Sequence, residues 1–343
     1  MVLSNQKQKQ QTLNKQRGRV LINQSKGEFK MSELLKAQNF GIEVEFTGIT
    51  REEAANAIAE VIGSSRITAP TPNCYHARKV IGPDGRKWTV ERDSSIDPQR
   101  SQKSKAQNES YDEFRVEFVT PICSYDDIET IQNIIRKFKE LGGIANSSCG
   151  MHVHIDGANH TATSLRRLCN FMVSRQSLIL EAIGAGARAS RWCKPISEDL
   201  LKAMKKNKDL TKEQLEAIWY SRANDGYTGT IDHQHYNYTR YHDVNLHAFF
   251  TKGTVEFRMF NSTLNADKVK AYIQLCLGLS AWSIESDENI AFRRKETLTA
   301  DQKVVLMRHI LINRLGLKGA EFKTCRSQML HSLKDQATAQ AVA

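Results

Sequence analysis

The chain has no uninterrupted apolar run near the roughly 18 residues that a membrane-spanning helix requires. Its first 20 residues are rich in Gln, Lys and Asn and lack the apolar core of a secretory signal, so the expected location is the cytoplasm, with no membrane partner. Seven cysteines are present, but they are widely spaced and form no Cys-x-x-Cys pair. That spacing excludes a zinc knuckle and argues for reduced thiols rather than a disulfide framework. Cys149 adjoins a histidine-rich strand and reads as a small buried hydrophobe rather than a nucleophile. There is no Gly-x-x-x-x-Gly-Lys-Ser/Thr loop, and Gly184-Ala-Gly186-Ala carries none of the rest of a phosphate fingerprint. A nucleotide bound here would therefore need metal ions and arginine to hold its phosphates. No internal repeat is evident.

The 343 residues carry a formal charge of +11, unevenly spread. Residues 1–38 hold eight basic side chains (Lys7, Lys9, Lys15, Arg17, Arg19, Lys26, Lys30 and Lys36) against only Glu28 and Glu33. A polar, basic segment of this kind is expected to be a disordered leader, able to grip an acidic macromolecule or nucleic acid or simply to remain solvated. Met31 opens a more compact Met-Ser-Glu-Leu-Leu run, which makes the preceding residues look dispensable.

Four short stretches each place ionisable side chains opposite an apolar row: Gly41 to Phe46, Val116 to Thr120, Gly150 to Ile155 and Thr254 to Met259. Successive strand residues point to opposite faces, so Ile42, Val44 and Phe46 oppose Glu43 and Glu45, about 6.5–7 Å apart along the chain. The same alternation sets His152 and His154 against Met151, Val153 and Ile155, and Glu256 and Arg258 against Val255 and Phe257. An isolated Glu-x-Glu is more often a solvated sheet face. Four such strands together point to a site on one concave surface. Converging carboxylates raise one another's pKa unless cations neutralise them. An oxygen-rich donor set with few imidazoles and no thiolate suits Mg2+ or Mn2+ better than Zn2+.

Thr50-Arg-Glu-Glu53 reads as a capping box for a helix ended by Gly63. Pro83-Asp-Gly85 is a turn before a strand over Trp88 to Asp93. Residues 97–112 look like a mobile loop. Ser124 precedes a helix with Ile128, Ile131, Ile134, Ile135 and Phe138 on one face, closing at Gly142-Gly143. Further helices are expected near 163–183, 266–285 (capped by Asn265), 300–314 and 320–337, with a helical hairpin over 197–223 as a lid, a wall or a packing insertion. Since the strands have one polar face, an α+β fold is expected, its antiparallel or mixed sheet covered by helices on the other side. The chain divides into the leader (1–38), a catalytic domain (39–290, with the insertion 197–223) and a C-terminal helical extension (291–343).

The ordered series Glu43-x-Glu45, Trp88-x-Val-x-x-Asp-x-Ser-Ile96, Val116-Glu-x-Val-Thr-Pro-Ile122, Gly150-Met-His-Val-His154 and Thr254-Val-Glu-Phe-Arg258 resembles the amidoligase family of carboxylate–amine ligases. That family is related to glutamate–cysteine ligase and glutamine synthetase, and the histidine segment is similar to the Gly-Met-His-x-His of the latter. The resemblance implies about six antiparallel strands in a partial barrel, with helices on its outer face. It also implies ATP and Mg2+ (or Mn2+) as cofactors, and small-molecule or peptide acids and amines as substrates. Glu43 and Glu45 would serve two neighbouring metal sites, joined by Asp93 and Glu117 at one and by His152 and Glu256 at the other. His154 would lie by the nucleotide phosphates, Arg258 would contact the transferring phosphoryl group, and Asn245, with Arg240 in Arg240-Tyr-x-x-Val-Asn245, would touch substrate or nucleotide. Arg258, Glu256 and His154 would thus be the catalytic set. Two other classes fit the residues alone: a metal-dependent hydrolase drawing further ligands from His233, His235, His242 or His247, and a nucleic-acid-binding protein whose leader grips phosphate.

Overall fold

A computed structural model describes residues 31–103, 109–186, 192–224, 229–287 and 298–342. The strands are β1 (Phe40–Phe46), β2 (Arg78–Ile81), β3 (Lys87–Glu91), β4 (Val116–Val119), β5 (Gly150–Asp156), β6 (Val244–Asn245) and β7 (Thr254–Asn261). They form one open sheet in the order β2-β3-β4-β1-β5-β7-β6, and every neighbouring pair is antiparallel. The sheet is thus wholly antiparallel, with one strand more than the resemblance implies.

The helices are α1 (Arg51–Ile62), α2 (Ile128–Glu140), α3 (Ala162–Ile183), α4 (Glu198–Lys205), α5 (Lys212–Trp219), α6 (His247–Lys252), α7 (Ala266–Glu285), α8 (Ala300–His309) and α9 (Lys323–Val342). Their starts follow from local chemistry. The Thr50 hydroxyl accepts from Glu53 N while Glu53 Oε2 accepts from Thr50 N, and Asn265 Oδ1 accepts from Asp267 N and Lys268 N. Gly63, in the left-handed region at φ 66°, ends α1 as a glycine there can.

Ile42, Val44 and Phe46 of β1, with Val116 and Phe118 of β4 and Val153 and Ile155 of β5, are fully or almost fully buried. The Phe46 and Phe118 rings lie 4.7 and 5.3 Å from that of Phe138 on α2, which seats the helix against the middle of the sheet. Cutting Phe138 back to Ala would cost about 3–5 kcal/mol through lost burial and a residual cavity. A register shift between Met151 and Val153 gives β7 one extra residue, so Phe257 and Phe260 both fall on the helix side. Phe260 then stacks on Tyr272 of α7, centroids 4.3 Å apart.

Residues 31–37 are helical, with Leu35 buried and Lys36 paired with Glu321 at 2.6 Å. Gln38 donates to Leu277 O. The last residues of the span expected to be a disordered leader therefore belong to the folded body, while residues 1–30 lie outside the described residues. At the other end, α9 packs on α7 and α3, so the C-terminal helices join the same core. The loop expected over 97–112 is pinned at its start by reciprocal bonds between Thr47 and Gln99 and by Asn146 on Asp97 O. Residues 104–108 lie outside the described residues. Among the described residues, no helix is long and apolar enough to cross a membrane.

Candidate metal centre

Antiparallel register carries the polar residues of six strands into one strip on the side of the sheet away from α2. Glu45 of β1 lies opposite Glu117 of β4, which in turn faces Glu91 of β3. Glu43 lies opposite His152 of β5, His154 opposite Glu256 of β7, and Glu256 opposite Asn245 of β6. Unlike a solvated sheet face, the strip is covered: Glu45, Glu117, His152, Glu256 and Arg258 are each no more than 9% exposed.

Two groups of three donors form, each with donor atoms within 4.8 Å of one another: Glu43, His152 and Glu256, and Glu45, Glu117 and His152. His152 is the shared member. Its Nδ1 is 2.8 Å from Glu43 Oε2, and its Nε2 is buried without a hydrogen-bond partner. Burial, with Arg258 adding to it, lowers this imidazole to about 4, so it is neutral at pH 7. A neutral ring donating through Nδ1 to a carboxylate presents a bare lone pair at Nε2, the usual arrangement of a metal-ligating histidine. An orphaned buried acceptor amid carboxylates fits a divalent cation.

Burial pushes Glu43 up, but His154 and His152 beside it outweigh burial and hold it well below the ordinary range. Glu256 behaves similarly. Burial raises it, but Arg258 and both histidines bring it down to about 2. Arg258 donates to Glu256 Oε1 at 2.5 Å and Asn245 to its Oε2 at 2.6 Å. His154 is held by Thr254 Oγ1 at 3.0 Å and lies 3.2 Å from Glu43 Oε1; its pKa is raised, Glu43 and Glu256 overcoming burial. In the other group Glu117 moves the opposite way. Burial, then Glu43, Glu45, Asp93 and Glu91, drive it well above the usual value. Glu45 accepts from Gly150 N, the first residue of the histidine strand.

Asp93 lines the same cavity but stays outside both donor groups, its Oδ1 accepting from Ser95 N. Arg240 sits at the rim rather than in the strip, with its guanidinium over the rings of Tyr236 and Tyr241. Of the histidines that a hydrolase would recruit, His233 pairs with Glu216, His242 lies against Lys194 O and His247 against the Tyr220 hydroxyl. Neither they nor His235 join a donor group among the described residues. The hairpin of α4 and α5 buttresses, through Glu216 and His233, the covering loop over residues 229–243 and lines none of the cavities described below.

Several residues of the site escape a reading by motif. Glu91 was available in the alternation of Trp88 to Glu91, with Trp88 and Val90 on the buried face. Burial, Glu43 and Asp93 raise its pKa. Tyr241 and Lys252 carried no local signal. Asp243 is wholly buried, raised to about 7 by burial, and its carbonyl accepts from Arg258 N, which ties the covering loop to β7.

The strip floors a cavity of about 400 Å3, walled by Tyr75, Trp192, Tyr236 and Tyr241, and the hydroxyls of Tyr75 and Tyr236 approach to 3.3 Å. A second cavity, about 360 Å3, includes Phe40, Ile42, Pro121 and Ile122 in its wall and contains His154. Glu43 and Lys252 border both.

No curated protein matches the chain. Among solved structures, a bifunctional glutathione synthetase from Pasteurella multocida is similar at 11% identity and a TM-score of 0.38, over 92% of this chain and 51% of that one. This chain thus spans about half the length of that protein, and a likeness this weak contributes nothing to the assignment. The sequence of residues 36–280, well over half of the chain and spanning every strand of the strip, matches the family described as "Putative amidoligase enzyme". Matched over well more than half of its length, the chain belongs to the amidoligase family.

Proposed function

We propose that the protein is an ATP- and Mg2+-dependent carboxylate–amine ligase that releases ADP and works through an acyl phosphate. The observation that carries this reading is the buried strip in which two carboxylate-bearing donor groups share His152, whose Nε2 is buried without a partner. With one lone pair His152 serves a single cation: Glu43, His152 and Glu256 would hold one divalent cation, and Glu45 and Glu117, with Asp93 close by, a second. Oxygen-rich donors without thiolate suit Mg2+ or Mn2+. Such ions, when bound, neutralise phosphoryl oxygens and favour their displacement.

In this reading His154, in the second cavity, faces the nucleotide phosphates, and the apolar wall of Phe40, Pro121 and Ile122 receives the base. The acid enters through the larger, aromatic-rimmed cavity. Its carboxylate oxygen attacks the γ-phosphorus, and the bond to the β,γ-bridging oxygen breaks with its electron pair leaving on ADP. The amine nitrogen then attacks the acyl carbon, phosphate departs with the carbon–oxygen pair, and the nitrogen loses a proton to give the amide. Arg258, held by Glu256 and with its Nε buried and unpartnered, is placed to donate to the transferring group as charge shifts. Asn245 keeps Glu256 oriented. No enzyme nucleophile is needed, consistent with the buried state of every cysteine except Cys74. We also read the strip as the concave face of the partial barrel of carboxylate–amine ligases, on the support of the family match.

The test is incubation with ATP, Mg2+, hydroxylamine in place of the amine, and a panel of acids. ADP and a hydroxamate are expected. Product formation without ATP cleavage, or with release of AMP and pyrophosphate, would sink the mechanism.

A further inference from the structure

Behind Glu256 a small alcove of about 150 Å3 is lined by His233, Asn245, His247 and Glu256, and it shares His235, Arg240 and Lys252 with the larger cavity. It is therefore a side chamber of the space assigned above to the acid. About 10–15 Å3 of such space already admits one water, so the alcove has room for a carboxylate or phosphoryl group. Its charge is lopsided. Glu256 is the one carboxylate in its lining, and both its oxygens are taken by Arg258 and Asn245. Against it stand Arg240 and Lys252, and among the described residues neither has a carboxylate within ion-pair distance.

Arg240 is also prepared for an anion. One terminal nitrogen donates to His235 O, and the Tyr236 and Tyr241 rings lie 5.6 and 5.7 Å from its guanidinium carbon. Among the described residues its remaining donors are unspent, and the two rings hold the fork in place, so little side-chain freedom is lost on binding. Tyr241 also lies 5.9 Å from the Arg258 guanidinium, so one ring links the cation of the alcove to the cation of the strip. Lys252 is the last residue of α6, directly before Gly253 at φ 74°, whose left-handed turn sends the chain into β7 and leaves the lysine where all three cavities meet. The Tyr220 hydroxyl lies 2.6 Å from His247 Nδ1 and holds that ring in the alcove wall.

We propose that this alcove binds a second anionic group of the acid being activated, which makes the substrate a dianionic acid: a dicarboxylate, an amino acid presenting a second carboxylate, or a phosphoryl-bearing acid. The inference rests on the ligase reading. One end of such a molecule lies by Arg258 and the donor groups, and the other is clamped by Arg240 and Lys252.

The experiment compares glutarate, 3-phosphonopropionate and pentanoate as acids in the ATP- and hydroxylamine-dependent assay with the full chain. In parallel, binding of 13C-labelled glutarate and pentanoate is followed by NMR line broadening. Glutarate or 3-phosphonopropionate should exceed pentanoate in kcat/KM by about 10–100-fold, the loss expected when a charged hydrogen bond goes unmade. The better of the two identifies the anion. Arg240→Gln and Lys252→Gln should each shrink that ratio toward one through KM for the dianion. Lys252 is exposed, so its variant keeps the test valid should Arg240→Gln misfold. Equal kcat/KM for monoacid and diacid, or a rise confined to KM for ATP in the variants, overturns the proposal and leaves the ligase reading standing. Absence of ADP with every acid sinks the ligase reading instead. In that case, glutarate-selective broadening lost in Arg240→Gln still supports the alcove, and equal broadening of both acids overturns it.

Discussion

Toward β7, the carboxylates of the strip have compensating partners in contact: Glu256 accepts from Arg258, and Glu43 lies between the neutral His152 and His154, whose pKa is raised. Toward β3, Glu117 faces Glu45, Glu91 and Asp93 and, among the described residues, has no cation within ion-pair distance. The two regions belong to one sheet, share one imidazole and are built from the same residue types, yet their carboxyl groups shift in opposite directions. A self-neutralised half can keep its geometry without ligand, whereas the acidic half stays strained by like charge until a cation arrives. Pairing across strands decides which half is which, because Glu43 meets a histidine and Glu45 a glutamate.

The largest expected effect comes from breaking the compensated half. Arg258→Lys should lower kcat by about 10²–10³-fold while nucleotide affinity stays within a few fold, because a point charge cannot replace the planar fork at the shifting phosphoryl charge. Steady-state ADP release together with equilibrium nucleotide binding tests this, and an effect confined to KM for ATP would contradict it. Next in size is metal binding. Glu117→Gln should abolish one Mn2+ site seen by electron paramagnetic resonance and leave the other. In the wild type, Mn2+ at about 100 times its Kd should add about 2.7 kcal/mol of stability, read as a rise in Tm. Equal metal stoichiometry in the variant would erase the distinction between the halves.

The pH dependence of the metal-free protein should show both halves. Glu256, lowered to about 2, contributes stability present above its ordinary 4.5 and lost as the pH falls toward 2. Glu117, raised, contributes stability present below 4.5 and lost as the pH rises through its folded value. Denaturant titrations in a chelator should therefore reveal an alkaline-side loss that vanishes in Glu117→Gln and with saturating Mn2+, while the acid-side loss remains. The smallest effect is expected from deleting residues 1–30, which leaves the helical 31–37 segment and its buried Leu35 in place: Tm and turnover of small acids should be nearly unchanged. Loss of folding would show that those residues belong to the core.

Much of the strip was legible in the chain because strand alternation is a local, two-residue property. Glu43, Glu45, Glu117, His152, Glu256 and Arg258 fell where it put them, and helix starts such as Thr50 and Asn265 followed from capping chemistry a few residues long. Asp93 shows the limit. Its motif suggested a ligand, but its carboxylate is engaged by Ser95 N in a turn, and Glu91, two residues earlier on the strand, meets Glu117. The helical 31–37 segment was hidden in a run that is polar and basic by composition, since its place depends on contacts with Glu321 and Leu277, far along the chain.

By itself, then, the sequence determined which residues share a face, which ends of segments are capped, and the order of motifs that marks the family, all of which depend on spacing along one chain. Only the tertiary structure decided which acidic residue faces which basic one. It alone set the register that makes His152 common to two donor groups, the loop that buries the strip, and the meeting of Arg240 and Lys252 at the alcove. These arise from antiparallel pairing and loop closure between residues distant in sequence, where no local periodicity records the outcome.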